Sequence, residues 1–281
     1  MQRLTGKEVA AAIMADTKER AEKLAAAGKT PCLAVFRVGE RPDDVAYEAS
    51  IKRHCERAAV ECRLVTLPAD VAQQDFADEL TAAAADPTVH GMFFFSPLPK
   101  NLDEDALRAL IPVEKDVDCL AEASAAAVFC GSEGFAPCTP SAVMEMLRYY
   151  QVPLSGRRAV VLGRSMVVGK PLAMLLLAAD ATVTVCHSRS QDLPALCREA
   201  DIVLAAVGRP RLVQGEWLSS GQVVLDVGVN ADPENPGKIC GDVDFAAAEG
   251  IVAAASPVPG GVGLVTTAVL CRHVVEAAER Q

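Results

Sequence analysis

The stretch Ala159-Val-Val-Leu-Gly163-Arg164-Ser165-Met-Val-Val-Gly169-Lys170-Pro171 constrains this chain more than any other. AVVL is the apolar run of a buried strand, two glycines bracket a tight turn, and LAMLLLAA, opened by Pro171, continues as a helix. A strand feeding a glycine turn at a helix N-terminus offers unpaired backbone N–H groups and the positive end of the helix dipole. Both suit a phosphate. The spacing is Gly-x-Ser-x-x-x-Gly, a relative of the Gly-x-Gly-x-x-Gly dinucleotide turn and not a match to it. An ordinary strand-to-helix turn looks the same in isolation, so the surrounding segments decide.

From residue 159 onward further strands follow at ATVTVC, DIVLAAVG, QVVLDVG and IVAAAS, with short helices or turns between them. That alternation belongs to a doubly wound parallel sheet. The first half alternates too: helix over 7–27, strand 32–38, helix 43–60, strand 61–67, helix 71–85, strand 91–95 and helix 102–110. Thr139 then caps a helix with Pro140 at its first position, running to about 150, and 151–158 form a hinge. A last helix over about 264–279 follows the glycine loop Pro257-Val-Pro-Gly-Gly-Val-Gly263. The expected class is α/β in two domains, with a core of Ala, Val and Leu, because 51% of residues are hydrophobic and only 4% aromatic.

A net charge of −10 with scattered basic residues argues against nucleic acid or an anionic membrane as partner. The N-terminus carries a seven-residue apolar run before Asp16, too short for a signal peptide or a span, and the expected location is cytoplasmic. None of the ten cysteines sits in a C-x-x-C pair, so buried free thiols are expected. The four histidines show no ligand spacing, and no metal is expected.

In dinucleotide folds that bind NAD, an acidic residue about 20 positions past the glycine loop holds the ribose hydroxyls. Here ATVTVC runs into His187-Ser188-Arg189-Ser190, with no carboxylate before Asp192. Arg189 and Arg164, with the two serine hydroxyls, suit a 2′-phosphate, because guanidinium pairs with phosphate in a forked geometry. NADP is therefore favoured over NAD, which stays open. Two more glycine turns end strands on the same edge, one at Gly208 and one at Gly228-Val229, and should border the nicotinamide.

The ordered set GRSMVVGKP, CHSRS, AVGRP, DVGVN, GDVDF and PVPGGVG, with KDVD and PCTP in the first half, resembles the methylenetetrahydrofolate dehydrogenase/cyclohydrolase family over nearly the whole chain. The resemblance implies a folate substrate and oxidation of 5,10-methylenetetrahydrofolate to the methenyl form with NADP or NAD. In most members hydrolysis to 10-formyltetrahydrofolate follows. It further implies a homodimer, a folate-binding catalytic domain of residues 1–139 plus 264–281, and a Rossmann-like NAD(P)-binding domain of residues 140–263. The C-terminal helix should pack back on the first domain. The implied cofactor residues are Gly163, Arg164, Ser165, Gly169, His187, Ser188, Arg189, Gly208, Gly228 and Val229. On the substrate side they are Tyr47, Phe95, Pro97, Leu98, Asp118, Pro259, Gly260 and Gly261, with Tyr47 and Asp118 catalytic.

Two positions depart from that pattern. The family places a lysine four residues after its tyrosine and a glutamine in a QLPLP segment; here Ile51 follows Tyr47 at that spacing, and GMFFFSPLP puts Phe95 at the glutamine. Residues i and i+4 share a helix face, whereas Lys52 is rotated about 100° away, so it does not stand in. The losses read as one exchange, since removing both members of a polar pair avoids stranding one of them. The glycine loop continues with Leu264-Val265-Thr266 where the family has Pro-Met-Thr.

Hydride transfer asks mainly for positioning, because the folate's own nitrogens stabilise the developing cation. Hydrolysis of the methenyl bridge asks for general acid–base work that isoleucine cannot do. The expected protein keeps the dehydrogenase and has a lost or weak cyclohydrolase. Two alternatives stay open: a non-catalytic folate- or dinucleotide-binding protein, and a dehydrogenase for another substrate in a more apolar cleft.

Overall fold

The computed structural model describes residues 1–281. The chain begins with β1 (Gln2–Arg3) and α1 (Gly6–Ala26), then alternates β2 (Cys32–Val38), α2 (Pro42–Arg57), β3 (Glu61–Leu67), α3 (Gln73–Ala85) and β4 (Gly91–Phe94). Three helices follow: α4 (Glu104–Arg108), α5 (Glu122–Cys130) and α6 (Cys138–Tyr149). The later part runs β5 (Arg158–Leu162), α7 (Gly169–Ala178), β6 (Thr182–Cys186), α8 (Leu193–Glu199), β7 (Ile202–Ala205) and β8 (Val223–Asp226). It closes with β9 (Asn230–Ala231), β10 (Ile239–Cys240), α9 (Phe245–Ala248), β11 (Ala254–Ala255) and α10 (Thr266–Arg280). No helix is long and apolar enough to cross a membrane.

The chain divides into two compact units, one of residues 11–138 with 267–281 and the other of residues 1–10 with 139–266. In the first, a three-stranded parallel sheet has the order β3-β2-β4. All seven residues of β2 are buried, as expected of a central strand covered on both faces. Its core joins Phe36, Phe76 and Phe94, whose ring centroids lie 5.8–6.0 Å apart. The C-terminal helix α10 packs on α1 in this unit. Arg20 Nε and Nη2 donate to the two carboxylate oxygens of Glu279 at 3.0 and 2.6 Å, and Lys29 Nζ reaches the carbonyl of Ala278.

In the second unit six parallel strands take the order β1-β11-β8-β7-β5-β6. Strand order reverses between β5 and β7, so the carboxyl ends of those two strands form the switch point where open α/β sheets bind ligands. Val160, Leu162, Val203, Ala205 and Val224 contribute to a buried cluster with Leu196, Leu218, Ala248 and Val252.

The sequence places residues 1–139 together, yet residues 1–10 belong with the second unit. The reason is β1, whose Gln2 and Arg3 pair with Ala254 and Ala255 as the sheet's edge strand. Two residues are too few to show a strand pattern. The six-residue strand expected at IVAAAS shrinks to β11, and α5 was not anticipated, because EASAAAVFC has no apolar periodicity to mark a face. Helix α6 begins at Cys138, so Thr139 lies inside its first turn and does not cap it.

Candidate active site

Two sets of residues collect chemistry, one in each unit. In the second unit a groove of about 510 Å³ opens at the switch point, lined by Leu162, Gly163, Arg164 and Ser165 from the loop after β5, and by Cys186, His187 and Ser188 after β6. Val207 and Arg209 after β7 line it as well. The loop after β5 owes its shape to two glycines. A Cβ on Gly163, at φ +118°, would run into the Ala206 carbonyl oxygen, and a Cβ on Gly169 would run into the Gly163 carbonyl oxygen. Ser165 Oγ accepts the Val168 N–H at 3.1 Å and Ser165 O accepts the Lys170 N–H at 3.0 Å, which folds the loop onto the start of α7.

The loop after β6 is equally built. The His187 N–H donates to Ser190 Oγ at 3.0 Å, and the Arg189 N–H donates to His187 Nδ1 at 3.1 Å. Asp192, the first carboxylate after β6, spends its side chain capping α8 through the Ala195 N–H at 3.2 Å. Arg164 and Arg189 are both exposed, and no acidic side chain pairs with either guanidinium. Most surface arginines here do pair, as Arg63 does with Asp86 and Arg211 with Asp232. Arg164 lines the groove beside the glycine turn at the helix N-terminus, whereas Arg189, on the neighbouring loop, is not among the lining residues.

Gly208 and Gly228 end β7 and β8 in turns of the same unit, and Val229 is 61% exposed beside Gly228. Arg209, by its letters only a turn residue, lines the groove. Asp226 and Asp242 carry buried carboxylates that accept the N–H groups of these turns. Burial pushes the Asp226 carboxyl up to about 7, against three backbone hydrogen bonds that favour its charged form. Motif letters alone do not reveal this, since an aspartate near a glycine reads as an ordinary turn residue.

In the first unit Tyr47 and Ile51 lie on α2, four residues apart. Tyr47 is 37% exposed, whereas Ile51 has no exposed surface at all. Phe95, directly after β4, meets the Tyr47 ring at 6.0 Å and 80°; Phe93 meets both, at 6.4 Å to Tyr47 and 5.2 Å to Phe95. The three rings pack edge to face, an arrangement worth about 0.5–1.5 kcal/mol per pair beyond area burial. The Pro97-Leu98 segment is pinned by Glu104, which accepts from Ser96 Oγ at 2.7 Å and from the Leu98 N–H at 2.8 Å.

The KDVD segment runs beside β4, with the Met92 N–H donating to the Lys115 carbonyl at 2.7 Å. Its first members serve the fold. Lys115 Nζ donates to the carbonyls of Ala84 and Asp86, and Asp116 accepts the N–H groups of Leu120 and Ala121. Asp118 Oδ1 accepts the Cys138 N–H at 2.7 Å and so supplies the cap that Thr139 was expected to give α6. Burial pushes the Asp118 carboxyl up to about 6, opposed by that hydrogen bond.

The loop carrying Pro259, Gly260 and Gly261 belongs to the second unit, where the Gly260 carbonyl accepts the Gly6 N–H at 2.8 Å. A Cβ on Gly6 would strike the Gly261 carbonyl oxygen, so glycine is required where α1 starts against this loop. Seven of the ten cysteines are buried and all ten are free.

Residues 4–118 match the family described as tetrahydrofolate dehydrogenase/cyclohydrolase, catalytic domain, and residues 137–281 match the NAD(P)-binding domain of the same family. A protein from Carboxydothermus hydrogenoformans named Bifunctional protein FolD is 55% identical over 279 residues, covering 99% of this chain and 97% of its own length. Among solved structures, the bifunctional FolD methylenetetrahydrofolate dehydrogenase/cyclohydrolase of Campylobacter jejuni has a TM-score of 0.96 at 36% identity, covering 100% of this chain and 99% of its own. The methylenetetrahydrofolate dehydrogenase-cyclohydrolase of Trypanosoma brucei, solved with NADP cofactor and an inhibitor, has a TM-score of 0.91 at 36% identity, covering 98% of this chain and 96% of its own.

Proposed function

Because the chain belongs to the tetrahydrofolate dehydrogenase/cyclohydrolase family, we propose that it oxidises 5,10-methylenetetrahydrofolate to the methenyl form with NADP, and that its hydrolytic step is lost or slow. The observation that carries the second half is Ile51, a side chain without exposed surface at the position the family gives to lysine. Phe95 at the glutamine position and its ring contact with Tyr47 support the same reading.

NADP, when bound, accepts the hydride. The C–H bond of the N–CH2–N bridge breaks with its electron pair, and a flanking nitrogen lone pair fills the gap to leave an amidinium cation. The substrate therefore stabilises its own charge, and the protein's share is positioning. Gly163, Ser165 and Gly169 shape the phosphate loop. Arg164 and Arg189, with His187 and Ser188, address the 2′-phosphate, and the turns at Gly208, Gly228 and Val229 border the nicotinamide. On the substrate side Asp118 takes N–H donors of the pterin ring through its carboxylate, and Tyr47 stacks beside it. Phe95, Pro97 and Leu98 are the first unit's further folate residues on this reading. NAD remains the competing cofactor, since one or two side chains decide between them. Ten free thiols suit a reducing, cytoplasmic setting.

Full bifunctionality is the second reading, favoured by the FolD name of a relative 55% identical over 99% of the chain. A spectroscopic assay separates the two. Oxidation is followed as NADPH formation from methylenetetrahydrofolate, and hydrolysis as enzyme-dependent decay of supplied methenyltetrahydrofolate. NADPH formation without decay above the spontaneous rate supports the proposal; clear enzymatic decay supports bifunctionality.

A further inference from the structure

One carboxylate holds the turn after β7. Asp242 Oδ2 accepts the N–H groups of Val207 and Gly208 at 2.6 and 3.0 Å, while Oδ1 accepts the Arg209 N–H at 2.8 Å and Asn230 Nδ2 at 2.9 Å. The residue has no exposed surface. Three consecutive N–H groups converging on one anion, with Gly208 at φ +66°, form the backbone nest that elsewhere takes a phosphate or another external anion. This chain fills the nest with its own side chain.

A second carboxylate fixes the first. Asp226, at the end of β8, accepts the N–H groups of Gly228, Asp242 and Val243 at 3.0, 3.0 and 2.8 Å, and its own N–H donates to Ser256 Oγ. Glycine is required on both sides of this clasp: a Cβ on Gly228 would run into the Asp242 carboxylate, and one on Gly241 into the Asp226 carboxylate. AVGRP, DVGVN and GDVDF, far apart in the chain, are thus one physical object.

We propose that Asp242 is a positioning residue, an internal anion that sets the shape of the turn at Val207, Gly208 and Arg209 and through it the affinity for the dinucleotide. The inference rests on the reading that the groove lined by Val207 and Arg209 takes that cofactor. Without the carboxylate, three convergent N–H donors face one another unmet and the turn opens. An amide in its place turns one acceptor oxygen into a donor that points at donors, so Asp242→Asn is disruptive although isosteric.

The test measures equilibrium NADP binding without folate, together with KM, kcat and thermal melting, for the full chain. The Asp242→Asn variant should bind NADP at least about tenfold more weakly, with kcat at saturating cofactor changed about threefold or less. In an Asp242→Gly variant, formate or acetate should restore NADP affinity and acetamide should not, which a general loss of packing would not produce. Asn230→Ala keeps the carboxylate, removes one of its four donors, and should weaken NADP binding about two- to threefold. That variant carries the test if both Asp242 variants fail to fold. NADP affinity unchanged in folded Asp242→Asn or in Asn230→Ala, or rescue by acetamide as good as by formate, overturns the inference. Wild-type protein that binds no dinucleotide overturns the functional reading and this inference with it; wild-type binding with unmoved variants overturns the inference alone.

Discussion

At position 51 the isoleucine side chain is sealed inside the first unit, without exposed surface. A lysine introduced alone would place an ammonium where the present side chain has no exposed surface. Ile51→Lys is expected to destabilise the protein by about 2–4 kcal/mol in urea unfolding, and Ile51→Lys with Phe95→Gln by clearly less. A single variant as stable as wild type would show that the site is roomier than its packing indicates. Asp118 makes a second prediction. Its carboxyl is raised to about 6, first by burial and then by the nearby Asp116 charge, against the Cys138 N–H that lowers it. A raised carboxyl binds its proton more tightly when folded, so its contribution to stability is full below the ordinary aspartate range near pH 4. That contribution is lost as pH rises through about 6. In the proposed role folate binding runs the other way, because the ionised carboxylate accepts N–H groups at both oxygens and the protonated form turns one of them into a donor. The folate KM should fall as pH rises from 5 to 7, and Asp118→Asn should flatten the profile; a KM independent of pH in wild type would contradict the assignment. The candidate side chains were legible from motif letters and spacing. What they lean on was not: the helix start that Asp118 caps lies 20 residues further on.

Among the elements, those long enough to show a period were legible nearly to the residue: β2 and β3 fall at 32–38 and 61–67 as read from the sequence. Elements made by tertiary pairing were not, as the two-residue β1, β9 and β10 show. Such strands exist because a neighbour offers hydrogen bonds, a fact with no local signature. The glycine loop between β5 and α7 was legible because its constraint is local. A Cβ at Gly169 would meet the Gly163 carbonyl, backbone against backbone, so nothing flexible can yield. Gly169→Ala is therefore expected to weaken NADP binding about tenfold or more by titration calorimetry, while leaving the affinity of the first unit for folate within about twofold. Equal NADP affinity in the variant would remove the loop from the cofactor site.

Taken whole, the chain crosses between its units three times, at residues 10, 138 and 266, and the first of these crossings was invisible in the sequence. The second unit carries its chemistry on strand ends, as parallel α/β layers do, while the first sets Tyr47 on a helix beside Phe95 at a strand end. The second unit carries a glycine loop, two exposed arginines without an acidic partner, and turns clasped by buried carboxylates. In the first unit the Tyr47, Phe93 and Phe95 rings meet edge to face, and Ile51 is sealed from solvent. On the proposed reading, oxidation draws on positioning and hydrolysis on a proton-handling pair that Ile51 and Phe95 would replace, so the two activities part company in one protein. The decisive measurement supplies methylenetetrahydrofolate and NADP together and follows NADPH and the methenyl chromophore in the same cuvette. NADPH and methenyltetrahydrofolate rising in equal amounts, with the methenyl compound then decaying only at its spontaneous rate, is the predicted result. NADPH formation with rapid, enzyme-dependent conversion to 10-formyltetrahydrofolate would contradict it.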